Sequence, residues 1–139
     1  MEIIANALQT VSANQNVYFT DTVTTGNCAI LHREGSGLIS LKGVTTQCRA
    51  RYKVTFGANV ALPTGGTPGP ITLAISLEGE TLPYTTMIVT PAALEAFFNI
   101  STSTFIDVPR GCCITISVKN ISNVDIEVQN ANLIVERVA

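Results

Sequence analysis

Residues 47–62 read QCRARYKVTFGANVAL, and their alternation decides the fold class. One face carries Cys48, Ala50, Tyr52, Val54, Phe56, Ala58, Val60 and Leu62; the other carries Arg49, Arg51, Lys53, Thr55 and Asn59. A strand with one dry face and one wet face needs this period of two, because successive side chains point to opposite sides of the sheet. Gly57 falls on the outward face, where glycine marks a bulge or a close backbone approach.

The same texture continues in both directions. Downstream, the PTGGTPGP run over 63–70 is a loop by composition, and 71–78 alternates again. Glu78-Gly79-Glu80 is a turn signal leading into a strand over 82–89. Thr90-Pro91 can start one or two helical turns over 90–96 or a plain loop. Further strands are expected over 97–108 and 112–119. The latter follows a Pro109-Arg110-Gly111 turn and precedes a last strand over 124–138. Upstream, shorter strands are expected over 8–12, 17–20, 27–32 and 38–42. Many short strands bounded by turn residues predict an all-β antiparallel jelly-roll sandwich, with residues 1–139 as one domain.

Composition agrees. Hydrophobic residues make up 46% and charged residues 13%, about half the usual charged share of about 25%. Thr, Ser, Asn and Gln must therefore solvate the surface, and these favour strands and turns. The net charge of −2 gives no electrostatic footprint for nucleic acid. No apolar stretch reaches the ~20 residues of a membrane helix, so no membrane partner is expected. The opening Met1-Glu2-Ile3-Ile4-Ala5-Asn6 lacks the basic and long apolar regions of a signal peptide. Synthesis in a bacterial cytoplasm without a signal peptide is the expectation.

The last strand carries apolar side chains on both faces through Leu133, Ile134, Val135 and Val138. A strand covered on both faces sits on its own core on one side and on something else on the other. In a small sandwich that second cover is a neighbouring subunit, which makes these four residues the expected contact.

The ending Asn132-Leu133-Ile134-Val135-Glu136-Arg137-Val138-Ala139 resembles the closing strand of the C-terminal domain of BclA-type collagen-like spore-surface glycoproteins. Leu73-Ala74-Ile75-Ser76-Leu77-Glu78-Gly79-Glu80-Thr81-Leu82-Pro83 resembles that domain's strand, glycine turn and Leu-Pro pattern, and Tyr52-Lys53-Val54-Thr55-Phe56 its aromatic-led central strand. The likeness runs from about Leu38 to Ala139 and rests on strand texture. It implies a tumour-necrosis-factor-like or complement-head-like jelly roll, a homotrimer around its long axis with the last strand near that axis. It also implies a virion or spore surface as the setting, with capsid or spore-surface proteins as partners and glycans as a further class. The Gly-X-Y stalk of those glycoproteins is missing, since Gly66 and Gly69 are only two glycines in a loop.

The chemistry-bearing residues point to structure. His32 is the single histidine. A zinc site with Cys28 would need two more ligands from Cys48, Cys112 or Cys113, without Cys-x-x-Cys spacing. No nucleophile elbow, phosphate loop, dinucleotide turn or zinc-protease helix occurs, and no acidic run suits calcium. Neither catalytic residues nor a cofactor or metal site is expected, and the chain reads as a non-enzyme. Arg49, Arg51 and Lys53 form a basic stripe: a solvated strand face, or else a site for an anionic ligand such as an acidic glycan, or a salt-bridged subunit contact. Asn99-Ile100-Ser101 and Asn120-Ile121-Ser122 match the glycosylation sequon but read as strand and turn chemistry. Cys112 is expected to point inward with Ile114, Ile116 and Val118, and Cys113 to lie on the outer or subunit-facing side with Thr115, Ser117 and Lys119.

Overall fold

The computed structural model describes residues 1–26 and 28–139. Among these, twelve strands follow in order: β1 (Glu2–Ala5), β2 (Gln9–Val11), β3 (Asp21–Thr24), β4 (Ile30–His32), β5 (Ile39–Lys42), β6 (Arg49–Ala61), β7 (Ile71–Leu77), β8 (Glu80–Thr81), β9 (Met87–Val89), β10 (Phe98–Pro109), β11 (Cys113–Asn120) and β12 (Ile126–Arg137). They form two antiparallel sheets. The first runs β10-β6-β12-β1-β3, with β2 also on β12; the second runs β4-β5-β11-β7-β8, with β9 also on β7. From β5 onward the chain passes back and forth between the sheets, with β7, β8 and β9 kept together in the second, so strands far apart in sequence lie side by side. Ile3 of β1 stands opposite Leu133 of β12.

The decisive stretch behaves as its alternation requires. Ala50, Tyr52, Val54, Phe56, Ala58, Val60 and Leu62 are all buried between the sheets, and Cys48 lies exposed just before the strand. A continuous apolar core joins both sheets, with Ile39, Leu41, Ile71, Leu73, Ile75, Ile116 and Val118 from the second facing Tyr52, Val54, Phe56, Ile126, Val128 and Leu133 from the first. The Tyr52 hydroxyl donates to the Lys42 carbonyl at 2.5 Å, tying β6 to β5 across the sandwich. Burial pushes the Tyr52 phenol above its usual range, a shift partly offset by Arg137.

Some expected elements change. The strand expected over 82–89 is broken by a 3-10 turn at Pro83–Thr85. Proline cannot donate to a ladder, and the Thr85 hydroxyl accepts the Ile75 amide at 3.0 Å in place of a strand bond. Residues 90–96 form a loop with no helix. Glu78 (φ 52°) and Gly79 (φ 85°) make a two-residue turn with both φ values positive, the geometry that a tight hairpin needs.

Residues 17–20 are not a strand. Val17 N–H bonds Val118 O in the second sheet and Thr20 N–H bonds Ile4 O in the first, so the segment crosses the edge of the sandwich and closes it. The Gln9 side chain clamps Tyr18 through both its amide atoms, imitating a backbone pair. The strand expected over 27–32 begins at Ile30, and Asn27 lies outside the described residues. Cys112 is exposed, contrary to its expected inward position. Gly111 takes a positive φ of 71° and the strand starts one residue later, at Cys113, so Cys112 belongs to the turn.

Candidate interaction surfaces

The outward face of the first sheet carries the residues that the sequence singled out. Cross-strand register sets its rows: Asp107 beside Arg51, Phe105 beside Lys53, Ser103 beside Thr55, Ser101 beside Gly57 and Asn99 beside Asn59. On the other flank of β6, Glu136 stands beside Lys53, Ile134 beside Thr55 and Asn132 beside Gly57. The basic side chains gather at the end near Arg49, while Glu2, whose carboxylate accepts the Asn132 side-chain amide at 2.7 Å, and Glu127 bring acidic groups to the rest of the face. The other side chains there are hydroxyl, amide and a few apolar ones.

The expected contact set on β12 divides in two. Leu133 and Val135 are 1% and 0% exposed and belong to this chain's own core, so they are not available to a second subunit. Ile134 and Val138 point outward and are 38% and 46% exposed; Phe105, which the sequence reading passed over, is 58% exposed on the same face. The phase of β12 is set by a bulge between Gln129 and Asn132, where Asn130 adopts φ 55°. Asparagine tolerates this left-handed conformation. A bulge inserts an extra residue and moves every following side chain to the other face relative to those before it.

Gly57 lies in the middle of this face. A Cβ built there would meet only Ile100 O at 3.8 Å and Ser101 Cβ at 3.9 Å, which is ordinary contact. Glycine inside a strand costs about 0.5–1 kcal/mol relative to alanine, and nothing within the chain requires it at this position.

The basic stripe is partly paired. Arg51 is forked onto Asp107, with Nε to Oδ1 at 2.8 Å and Nη2 to Oδ2 at 3.2 Å, and Arg49 Nε reaches the same carboxylate at 3.6 Å. The hydrogen bond from Arg51 holds the Asp107 carboxyl below its usual range, and the same bond raises the Arg51 guanidinium. A depressed carboxyl adds stability above its unfolded pKa, and that stability is lost as pH falls through the folded value. Replacing Arg49, Arg51 and Lys53 together with serine is expected to keep the melting temperature within a few degrees at neutral pH, because exposed pairs contribute little. The same variant flattens the acid limb of the melting-temperature profile. A collapse of the fold on this replacement would refute the assignment of a solvated stripe.

His32 is half-buried. Its Nε2 lies 2.8 Å from Ser36 O, its Nδ1 is buried without a partner, and its ring meets Phe19 edge-on at 6.3 Å. No group of three His, Cys, Asp or Glu side chains that could hold a metal ion occurs among the described residues.

At the far end of the sandwich from Arg49, a shallow groove of about 430 Å³ is lined by Thr10, Thr64, Thr67, Asn123 and Asp125 together with the Gly65–Gly66 backbone. Its wall is braced where the Thr64 hydroxyl bonds the Glu95 carboxylate. Hydroxyl, amide and carboxylate groups there offer both donors and acceptors.

No protein-family model matches the chain, and no curated protein matches its sequence. Solved structures do resemble it. The chain is similar to the Eiger TNF from S. frugiperda (TM-score 0.69, 12% identity, 100% of this chain and 92% of that one). It is similar to the globular domain of zebrafish complement 1qA (TM-score 0.63, 13% identity, 96% and 93%) and to murine APRIL (TM-score 0.55, 13% identity, 92% and 97%). At such identities the likeness concerns fold: the chain is an all-β, two-sheet antiparallel jelly roll of the tumour-necrosis-factor and complement-1q type.

Proposed function

We propose that this chain is a non-catalytic structural head that forms a homotrimer through the outward face of its first sheet and decorates a particle surface. The carrying observation is that face. Ile134, Val138 and Phe105 lie uncovered on it, and Gly57 keeps its centre bare although nothing within the chain demands glycine there. A second copy approaching closely accounts for both. The resemblance to BclA-type spore-surface domains supports three copies around the long axis. It also supports the setting, a bacterial spore or a phage head to which the trimer adds as a fibre or decoration protein.

Light scattering under reducing conditions is expected to give three times the chain mass of 14.7 kDa. Ile134→Asp should return it to a single chain without unfolding it, because the carboxylate is solvated on a free face but costs several kcal/mol when buried unpaired. Gly57→Ala should weaken the assembly likewise. A wild-type mass of one chain at micromolar concentration would overturn the reading.

The groove of Thr10, Thr64, Thr67, Asn123 and Asp125 favours a second reading, adhesion to glycans. Sugar hydroxyls match its donors and acceptors. Glycan-array binding that disappears in Asp125→Ala would select it over a purely structural role.

A further inference from the structure

All four cysteines are exposed and free, and the fold brings them to one end of the sandwich. Cys113 stands opposite Lys42, and the Lys42 amide bonds the carbonyl of Ala29, the residue after Cys28. The Gly43 amide bonds the Cys112 carbonyl, and the Arg110 amide bonds the Cys48 carbonyl. The four positions come from three separate stretches of sequence in two different sheets. Cysteine is among the residue types most often buried, and an exposed thiol is open to oxidation. This chain keeps every cysteine out of a large core and at one end, where the thiols are open to exchange chemistry.

Two other uses fit poorly. A metal site would need at least three ligands already gathered, and none is present among the described residues. Pairing of Cys28 with Cys113 within the chain is limited by spacing. Ala29 and Cys113 flank Lys42 on its two sides, so the Cys28 and Cys113 stretches lie about two inter-strand spacings apart, roughly 9–10 Å. A disulfide spans Cα atoms no more than ~7 Å apart without backbone movement.

We infer that this end of the sandwich is a covalent docking surface at which two copies of the chain are joined by disulfide bonds. The oxidant is an anionic low-molecular-weight disulfide of the glutathione type. Lys42, opposite Cys113 in the sheet, and Arg110, whose amide bonds Cys48 O, bring positive charge to this end that attracts it. The thiolate of Cys113 or Cys112 attacks one sulfur of that disulfide, forming a mixed disulfide and releasing one small thiol. The corresponding thiolate of a second copy attacks the protein sulfur of the mixed disulfide and releases the second small thiol. Two protein thiols are oxidised, one small disulfide is reduced, and the two thiol protons leave to solvent or to the departing thiolates. Reductant breaks these disulfides and leaves the contact proposed for Ile134 and Phe105 untouched, so the inference is tested independently of the trimer.

The test uses the full chain, reduced and then incubated with oxidised glutathione, read by non-reducing electrophoresis and intact mass. A band at twice the chain mass that reverts with dithiothreitol is expected. It should be lost in the Cys112→Ser, Cys113→Ser double variant. The variant with all four cysteines replaced by serine should keep its melting temperature within a few degrees, since the thiols are exposed, which separates loss of cross-linking from loss of fold. Glutathione adducts alone, an internal disulfide alone, or no oxidation would each overturn the inference. Light scattering under reductant reports the trimer separately, so the failure of either proposal is distinguishable from the failure of the other.

Discussion

Truncating Phe56 to alanine is expected to lower the unfolding free energy by about 3–5 kcal/mol, the loss typical of a fully buried aromatic ring. Phe56 is inaccessible to solvent at the middle of β6, the strand paired on both sides by β10 and β12. Its ring meets Phe19 edge-on at 6.3 Å and 83°, and Phe19 meets His32 in turn at 6.3 Å and 78°. The aromatic chain therefore joins the first sheet, the crossing segment and the edge of the second sheet. A domain has only about 5–15 kcal/mol in total, so the variant should sit near its unfolding threshold. Urea unfolding at a fixed chain concentration should show a lower midpoint with an unchanged slope. A loss under about 1 kcal/mol would mean that the neighbours collapse into the space, contrary to a rigidly packed site.

Asn120→Ala is expected to cost about 2–4 kcal/mol, because each orphaned buried group carries roughly 1–3 kcal/mol and water can rescue some of them. Asn120 is completely buried beside the β11–β12 turn. Its Nδ2 donates to Val11 O and Val124 O at 3.0 Å each, and its Oδ1 accepts the Ser122 amide at 3.0 Å and the Ser122 hydroxyl. One side chain thus closes the turn and pins it to β2. The sequon at Asn120 is in this light a packing motif, since no glycan can reach an amide nitrogen that is buried and fully engaged. Asn99, in the other sequon, is exposed and bonds Ala58 O and Asn59; its alanine variant is the control and should change stability far less. Equal effects at the two positions, measured by thermal unfolding, would remove the argument.

The sequence by itself determined the fold class and the central strand. The alternation over 50–62 is a local signal: one side meets water and the other does not, and the period of two records that difference residue by residue. The Glu78-Gly79 hairpin was legible for the same reason, since positive φ values are a property of the turn itself. The outward placement of Arg49, Arg51 and Lys53 followed from the phase of β6.

Tertiary structure decided the rest, wherever the outcome depends on a distant partner. β1 has few residues with which to announce itself and exists because Ile3 meets Leu133 across the sheet. Asp107 lies 56 residues from Arg51, so no reading of the basic stripe could have shown Arg51 forked onto a carboxylate. The last strand looked apolar on both faces, but its two faces have different fates. Only the bulge at Asn130 and the pairing with β6 assign Leu133 and Val135 to the core and leave Ile134 and Val138 outside. Cys112 left the inward row because the turn at Gly111 holds it outside the strand, while Ile116 and Val118 keep the phase that the alternation assigns them. The gathering of four cysteines at one end is likewise a result of topology: strand pairing brings together thiols that the chain keeps up to 85 residues apart (113 − 28).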